Sequence, residues 1–246
     1  MAQKTYDHNV FWARVTLSDK INAKTKWELF LQKRTQNLEP GASNFFASTH
    51  YTSAWLWFNF TLNKSFKLSV SPFGYFNNHG FNRTAADAEQ PGIKEFRWSV
   101  RLENEQKFKF LNLSNRYSFE YRLRDLQLNN DYHGNYRLRY QVKLDKPIKG
   151  IFSKEKPVTF SFFDEVFLQF GPAVRGAPNV FDQNRIGIGA SYELVKNVKL
   201  SVSYVNFQQE RNSGKDFDNA NVLWAVLTLD NLFSQFKKKK GEELKK

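Results

Sequence analysis

Apolar and polar residues alternate along this chain in about eleven segments of roughly 9 to 14 residues, the length a tilted β-strand needs to cross a bilayer. In the first, Val10 to Leu17, the residues Phe11, Ala13, Val15 and Leu17 share one face, and Val10, Trp12, Arg14 and Thr16 share the other. In the second, Trp27, Leu29 and Leu31 oppose Glu28, Phe30, Gln32 and Arg34. The third, Tyr51 to Leu62, sets Ala54, Leu56, Phe58 and Phe60 against Ser53, Trp55, Trp57 and Asn59, and a turn at Asn63-Lys64-Ser65 leads to a fourth, from about Phe66 to Phe76. Alternation is cleanest in the next three. Phe96, Trp98, Val100 and Leu102 oppose Glu95, Arg97, Ser99, Arg101 and Glu103; Tyr117, Phe119, Tyr121 and Leu123 oppose Arg116, Ser118, Glu120, Arg122 and Arg124; Tyr136, Leu138, Tyr140, Val142 and Leu144 oppose Arg137, Arg139, Gln141 and Lys143. In the eighth, Val158 to Phe170, both faces are more apolar, and Asp164 beside Glu165 interrupts the rhythm, which predicts a β-bulge there. Arg185 to Leu194, Val198 to Phe207 and Asn221 to Phe233 complete the series.

Connections alternate as well. Short links follow the first, third, fifth and ninth segments, and longer loops rich in Gly, Asn and Asp lie near 36 to 49, 77 to 92, 125 to 134, 171 to 184 and 209 to 220, with an irregular link at 145 to 157. The pattern predicts an all-β fold: an antiparallel transmembrane β-barrel with short periplasmic turns and longer extracellular loops. Bacterial barrels usually have an even number of strands, so the odd count points to about twelve, with ten as the alternative. Residues 1 to 236 read as a single barrel domain and 237 to 246 as a Lys-rich flexible tail.

Composition agrees with a two-faced wall. The chain has 25 Phe, 10 Tyr and 6 Trp among 246 residues, yet no stretch approaches the roughly 18 apolar residues of a membrane helix. With no cysteine there is neither a disulfide framework nor a thiolate metal site. Met1-Ala2-Gln3-Lys4 lacks an apolar signal core, and Ala-Gln resembles the residues flanking a signal-peptidase cut, which leads to the expectation of an outer-membrane protein of a Gram-negative bacterium whose signal peptide has been removed.

The net charge of +13 changes meaning once it is placed on the strands. Arg97, Arg101, Arg116, Arg122, Arg124, Arg137 and Arg139 share faces with Glu95, Glu103 and Glu120, opposite the aromatics, so adjacent strands would build an Arg/Glu ladder inside the lumen. A cation on the lipid face near the midplane would cost roughly 2 to 4 kcal/mol. The ladder has two readings, side-chain packing in a narrow lumen or contact with an anion, and the site residues it offers are Glu95, Arg97, Arg101, Arg116, Glu120, Arg122, Arg137 and Arg139. Basic side chains that project into a lumen do not suit nucleic acid. The run from Lys237 to Lys240 reads as a solvated tail.

Catalytic and cofactor signatures are absent: there is no phosphate loop, dinucleotide glycine pattern, nucleophile elbow or HExxH. His8, His50, His79 and His133 stand alone, without a partner at metal-ligand spacing, so no metal, cofactor or catalytic residue is assigned. His50 with Ser48 is the nearest approach to the Ser/His arrangement of an outer-membrane phospholipase. Asp216-Phe217-Asp218-Asn219 and Asn129-Asn130-Asp131 carry oxygens suited to calcium and equally suited to turns.

The order of several features across nearly the whole chain resembles a family: an early Trp12, a strand ending at Arg34, Glu95-Phe96-Arg97, Asn115-Arg116-Tyr117 with Glu120 and Arg122, Arg137-Leu138-Arg139, Glu165, and Asn221-Val222. It is similar in these to the Bacteroidetes outer-membrane barrels grouped as the domain of unknown function 2490 family. The resemblance implies an outer-membrane location and carries no activity, so it transfers no functional residue.

The expected function is a non-enzymatic integral outer-membrane barrel, a small channel or a structural or accessory subunit of an envelope complex. Its partners would be the lipid bilayer and lipopolysaccharide, together with other outer-membrane or periplasmic proteins. The alternatives are a phospholipase-like lipid-modifying enzyme and an anion-selective pore with an Arg-lined lumen. A lipocalin-type calyx would need the opposite polarity, apolar inside and polar outside.

Overall fold

The computed structural model describes residues 4–177, 179–211, 214 and 216–236. They form eleven strands: β1 Lys4–Lys20, β2 Thr25–Gln36, β3 Ser48–Thr61, β4 Phe66–Asn78, β5 Ile93–Lys107, β6 Asn112–Arg124, β7 His133–Ile148, β8 Val158–Phe170, β9 Phe181–Val195, β10 Val198–Glu210 and β11 Asp216–Leu229. Each is hydrogen-bonded to its sequence neighbours, and β1 pairs with β11 to close the barrel. Three 3-10 turns interrupt the loops, and no helix is long and apolar enough to cross a membrane.

The expected twelve strands, and the alternative of ten, are replaced by eleven. With an odd number, the first and last strands run the same way, so closure requires a parallel pair. β1 and β11 supply it in unbroken register from Lys4 opposite Asp216 to Leu17 opposite Leu229. A parallel ladder satisfies the edge N–H and C=O groups as fully as an antiparallel one, which removes the reason for an even count.

Register also shows the stagger. The line of paired residues that begins at Val10 runs through Val222, Val205, Gly187, Phe163, Lys143, Ser114 and Glu105. It starts near the long-loop end of β1 and arrives near the short-turn end of β5, so the strands are steeply tilted, as closure of a barrel demands.

The outer wall is apolar. Trp98, Val100 and Leu102 on β5, Tyr117 and Phe119 on β6, Leu138 and Tyr140 on β7, Phe160 and Phe162 on β8 and Ile186 and Ile188 on β9 are all exposed. Outward rings meet across strands, with Tyr117 5.0 Å from Tyr140 and Phe119 5.9 Å from Tyr136. So large a continuous apolar surface is stable against hydrocarbon and not against water. The polarity is the reverse of a lipocalin.

The bulge predicted at Asp164 and Glu165 is not there, since β8 keeps its register with β7 through both residues. Glu165 is buried inside, while Asp164 continues the alternation outward, in register with Val142 and Ile186, and accepts a 2.6 Å hydrogen bond from Asn184 Nδ2. Register shifts fall instead at Arg34/Thr35, Phe167/Leu168 and Val198/Lys199, between Leu56 and Phe58, and between Ser71 and Gly74, where Pro72 has no N–H to give to a ladder.

Inside, two aromatic clusters flank the charged strands. Val10, Trp12, Phe163, Val205, Phe207, Ala220 and Val222 pack together on one side, and Tyr51, Trp55, Trp57 and Phe76 on the other. Glycine makes room for one of these rings: a Cβ at Gly187 would fall 2.4 Å from Phe163.

The two ends differ. At the loop end, the connection between β4 and β5 folds over the mouth and places the Phe81 ring 4.5 Å from both His8 and His50. Buried Asn82 anchors it, donating to Ser48 Oγ at 2.8 Å and Asn37 O at 3.1 Å and accepting from Gln36 Nε2 at 3.0 Å. At the turn end, β11 stops at Leu229 and not at Phe233, because Asp19 accepts the backbone N–H groups of Phe233 and Ser234 at 2.6 and 2.8 Å and turns the chain. The Lys-rich tail lies outside the described residues.

Candidate functional site: a basic lumen

Alternation turns every second residue of β5, β6 and β7 inward, and the register lays their charges side by side. Glu95 is opposite Arg124, Arg97 opposite Arg122, Ser99 opposite Glu120, and Glu120 in turn opposite Arg137. Glu95 accepts Arg122 through both oxygens at 2.7 Å and also accepts Arg97. Glu120 accepts Arg137 Nη2 at 2.5 Å and Arg139 Nη1 at 2.7 Å, with Arg97 at 3.5 Å. The two carboxylates are almost wholly buried, at 1% and 0% exposure.

The ladder extends further than the sequence revealed. Glu165 on β8 accepts Arg139 Nη2 at 2.6 Å and Arg116 Nη2 at 3.2 Å, and Asp182 on β9 lies 3.4 Å from Arg137. Of the eight sequence-predicted residues, Glu95, Arg97, Arg116, Glu120, Arg122, Arg137 and Arg139 join this network. Arg101 stands apart, 4.2 Å over the Trp57 ring and without a carboxylate partner among the described residues. Glu103 pairs with Lys67 at 2.9 Å.

Forked guanidinium–carboxylate contacts fix geometry more than they add stability, because each buried ion has lost its hydration. Their consequence here is spatial. The glutamates sit against the wall and the guanidiniums lean inward over them. The cavity they border measures about 110 Å³ and is lined by Arg97, Arg122, Arg124, Arg137 and Arg139 from the ladder, and by Arg14, Arg34 and Arg185 from other strands. Asp182 is the one carboxylate in that lining, and His50, Gln32, Asn78, Gln169, Gln183 and Gln209 add neutral polar groups to it. At roughly 10 to 15 Å³ of such space per water, the cavity holds several waters or one small oxyanion.

Arg14, Arg34 and Arg185 were on inward-facing positions of the alternating pattern, but nothing in the sequence shows that β1 and β2 share a cavity with β9. Only closure of the barrel brings them together.

The alternative chemistries are not assembled. His50 points into the mouth under Phe81, Ser48 is engaged with Asn82, and no hydrogen bond joins Ser48 to His50, so these two do not form the Ser/His pair the sequence offered. Asp218 is taken by Arg211 and by His8 at 2.9 Å, and Asp131 N donates to Asn129 Oδ1 at 2.9 Å in a turn. Among the described residues, no group of three His, Asp or Glu could hold a metal ion.

Solved structures resemble this chain in fold. A bacterial polysaccharide outer membrane secretin matches 84% of this chain at 11% identity and TM-score 0.50, and the chain spans only 64% of the secretin's length. A NanC porin matches 86% of this chain and 92% of its own at 11% identity and TM-score 0.49, and the beta domain of the Bordetella autotransporter Brka matches 76% and 78% at 12% identity and TM-score 0.45. No curated protein sequence matches. The family model described as "Protein of unknown function (DUF2490)" matches residues 9–218, most of the barrel, and the chain belongs to that family.

Proposed function

We propose that this protein is a non-enzymatic integral outer-membrane β-barrel whose lumen admits small anions. The observation that carries the reading is the cavity wall, with eight arginines against a single carboxylate. An anion entering a narrow space gives up water and needs replacement donors, and guanidinium N–H groups supply them. A fixed cation about 6 Å away favours an anion by roughly 3 kcal/mol at an effective dielectric of 20, and disfavours a cation equally. The apolar wall suits the lipid bilayer and lipopolysaccharide as its surroundings.

Purified chain in a planar bilayer under a KCl gradient tests the reading. It is expected to give a small conductance whose reversal potential follows chloride; a potassium-following potential would overturn anion selectivity. The alternative, a structural or accessory subunit of an envelope complex, is favoured by the Phe81 loop across the mouth and by the aromatic clusters that fill much of the lumen. A silent bilayer from a correctly folded, heat-modifiable barrel would select that alternative.

A further inference from the structure

The arginines that line the cavity fall into two sets. Those of the ladder are answered by Glu95, Glu120, Glu165 and Asp182. Arg14, Arg34 and Arg185 are not: among the described residues no carboxylate oxygen lies within 4.0 Å of them. Arg185 even sits opposite Glu165 in register and still directs Nη2 to Gln183 Oε1 at 2.6 Å.

Apart from that bond and one from Arg34 Nη2 to Gln32 Oε1 at 3.3 Å, what holds these three in place is aromatic. Arg34 lies 4.0 Å from the Trp12 ring centre and 4.3 Å from Tyr51; Arg185 lies 5.0 Å from Trp12 and 4.6 Å from Phe167; Arg14 lies 4.8 Å from Trp224. Trp12 and Trp224 are themselves 5.4 Å apart, so one indole pair gathers all three guanidiniums. Stacking occupies the flat face of a guanidinium and leaves its in-plane donors free. The Nε atoms of Arg14, Arg34 and Arg185 are buried without an acceptor, as is Nε2 of Gln32 on the same cavity edge. A buried donor left unmet is costly, and here the unmet groups are N–H donors gathered on one cavity.

We infer that Arg14, Arg34 and Arg185 form an oxyanion site for the carboxylate or phosphate group of a small solute, with Trp12 and Trp224 holding the guanidiniums in position. The site rests on the anion-binding half of the function proposed above and does not require passage through the barrel. Its size follows from the cavity of about 110 Å³, which takes one small anionic group.

The test uses the full chain folded in detergent micelles, titrated calorimetrically with sodium phosphate and with sodium acetate at constant ionic strength. Heat-modifiable gel migration checks that each variant is folded. At least one of the two anions is expected to bind, and Arg34→Gln and Arg185→Gln are each expected to weaken it by about tenfold or more, the worth of a charge-assisted contact. Lys67→Gln, remote from the cavity, should leave the affinity unchanged. Binding of phosphate alone or of acetate alone supports the site and names its preferred group. Absence of binding by the folded wild-type chain, or equal affinity in the arginine variants, overturns it. The site and passage fail separately: binding without bilayer current removes passage alone, and anion-selective current without calorimetric binding removes the site alone.

Discussion

Arg185 and Glu165 face each other across β8 and β9 and do not pair, because Glu165 is already held by Arg139 at 2.6 Å and Arg116 at 3.2 Å. Both of those guanidiniums bond to the same Glu165 Oε1, and Arg185 turns instead to Gln183 and the cavity. Pairing of this kind around the lumen divides its cations into a bonded scaffold and a free set.

That division predicts stability effects of different size for two similar substitutions. Glu120→Gln leaves Arg137 and Arg139 without their shared anion in a buried setting, and is expected to cost about 3 to 5 kcal/mol. Arg185→Gln removes a cation with no carboxylate partner, so relief of charge repulsion offsets lost stacking and the net change should stay within about 1 kcal/mol. Urea unfolding in detergent, followed by tryptophan fluorescence, measures both. An equal loss in the two variants would place Arg185 in the scaffold.

The parallel seam predicts a crosslink. Ala13 and Ala225 are register partners on β1 and β11, and neighbouring strands bring Cα atoms into the range of about 4.4 to 6.8 Å that a disulfide needs. The chain contains no cysteine, so an Ala13→Cys, Ala225→Cys double variant should form one intramolecular bond under mild oxidation, seen as a reducible gel shift. Ala13→Cys with Leu229→Cys should not. A crosslink in the second pair only would mean that the seam is shifted.

The strands were legible in the sequence because lipid on one side and charge on the other enforce a period of two. Phe96 to Leu102 against Glu95 to Glu103 is unambiguous for that reason. Strand number was not, because a parity rule drawn from antiparallel closure overrode the eleven segments visible in the pattern. Asp164 misled for a similar reason: an acid on the outer face reads as a broken rhythm, yet the backbone simply continues and Asn184 takes the carboxylate. The ladder was readable from neighbouring strands. Arg14, Arg34 and Arg185 as a group were not, since their meeting depends on which strands lie across the lumen, a property of closure and tilt and not of any local segment.

The turn end should respond to acid. Asp230, beyond the last residue of β11, accepts Ser18 Oγ at 2.5 Å and Lys26 Nζ at 2.8 Å. Partial burial alone would raise its carboxyl, but the contacts with Lys26 and Ser18 outweigh that and hold it below the ordinary value. A folded-state value below the unfolded one contributes stability that is present above about pH 4 and is lost as pH falls through the folded value. Asp230→Asn is therefore expected to lower the unfolding midpoint at pH 7 and to have little effect near pH 2, with unfolding curves at the two pH values as the check. An equal shift at both would assign the effect to hydrogen bonding alone.

The mouth supplies the last prediction. Phe81 is clamped between His8 and His50 and also meets Phe207 at 5.6 Å, directly above the cavity that His50, Arg34 and Arg185 line. Its neighbour Asn82 holds the loop through bonds to Ser48, Asn37 and Gln36, so Phe81→Ala should leave the loop anchored while removing its plug. Tryptophan fluorescence reports the result, because Trp12 and Trp55 lie on the inward face and are buried. Iodide, an anion small enough for the lumen, is expected to quench the variant more strongly than the wild-type chain, and caesium is expected to quench both alike because the arginines repel it. Unchanged iodide quenching in a folded variant would mean that the Phe81 ring does not limit entry, and would move the barrier down to the guanidiniums themselves.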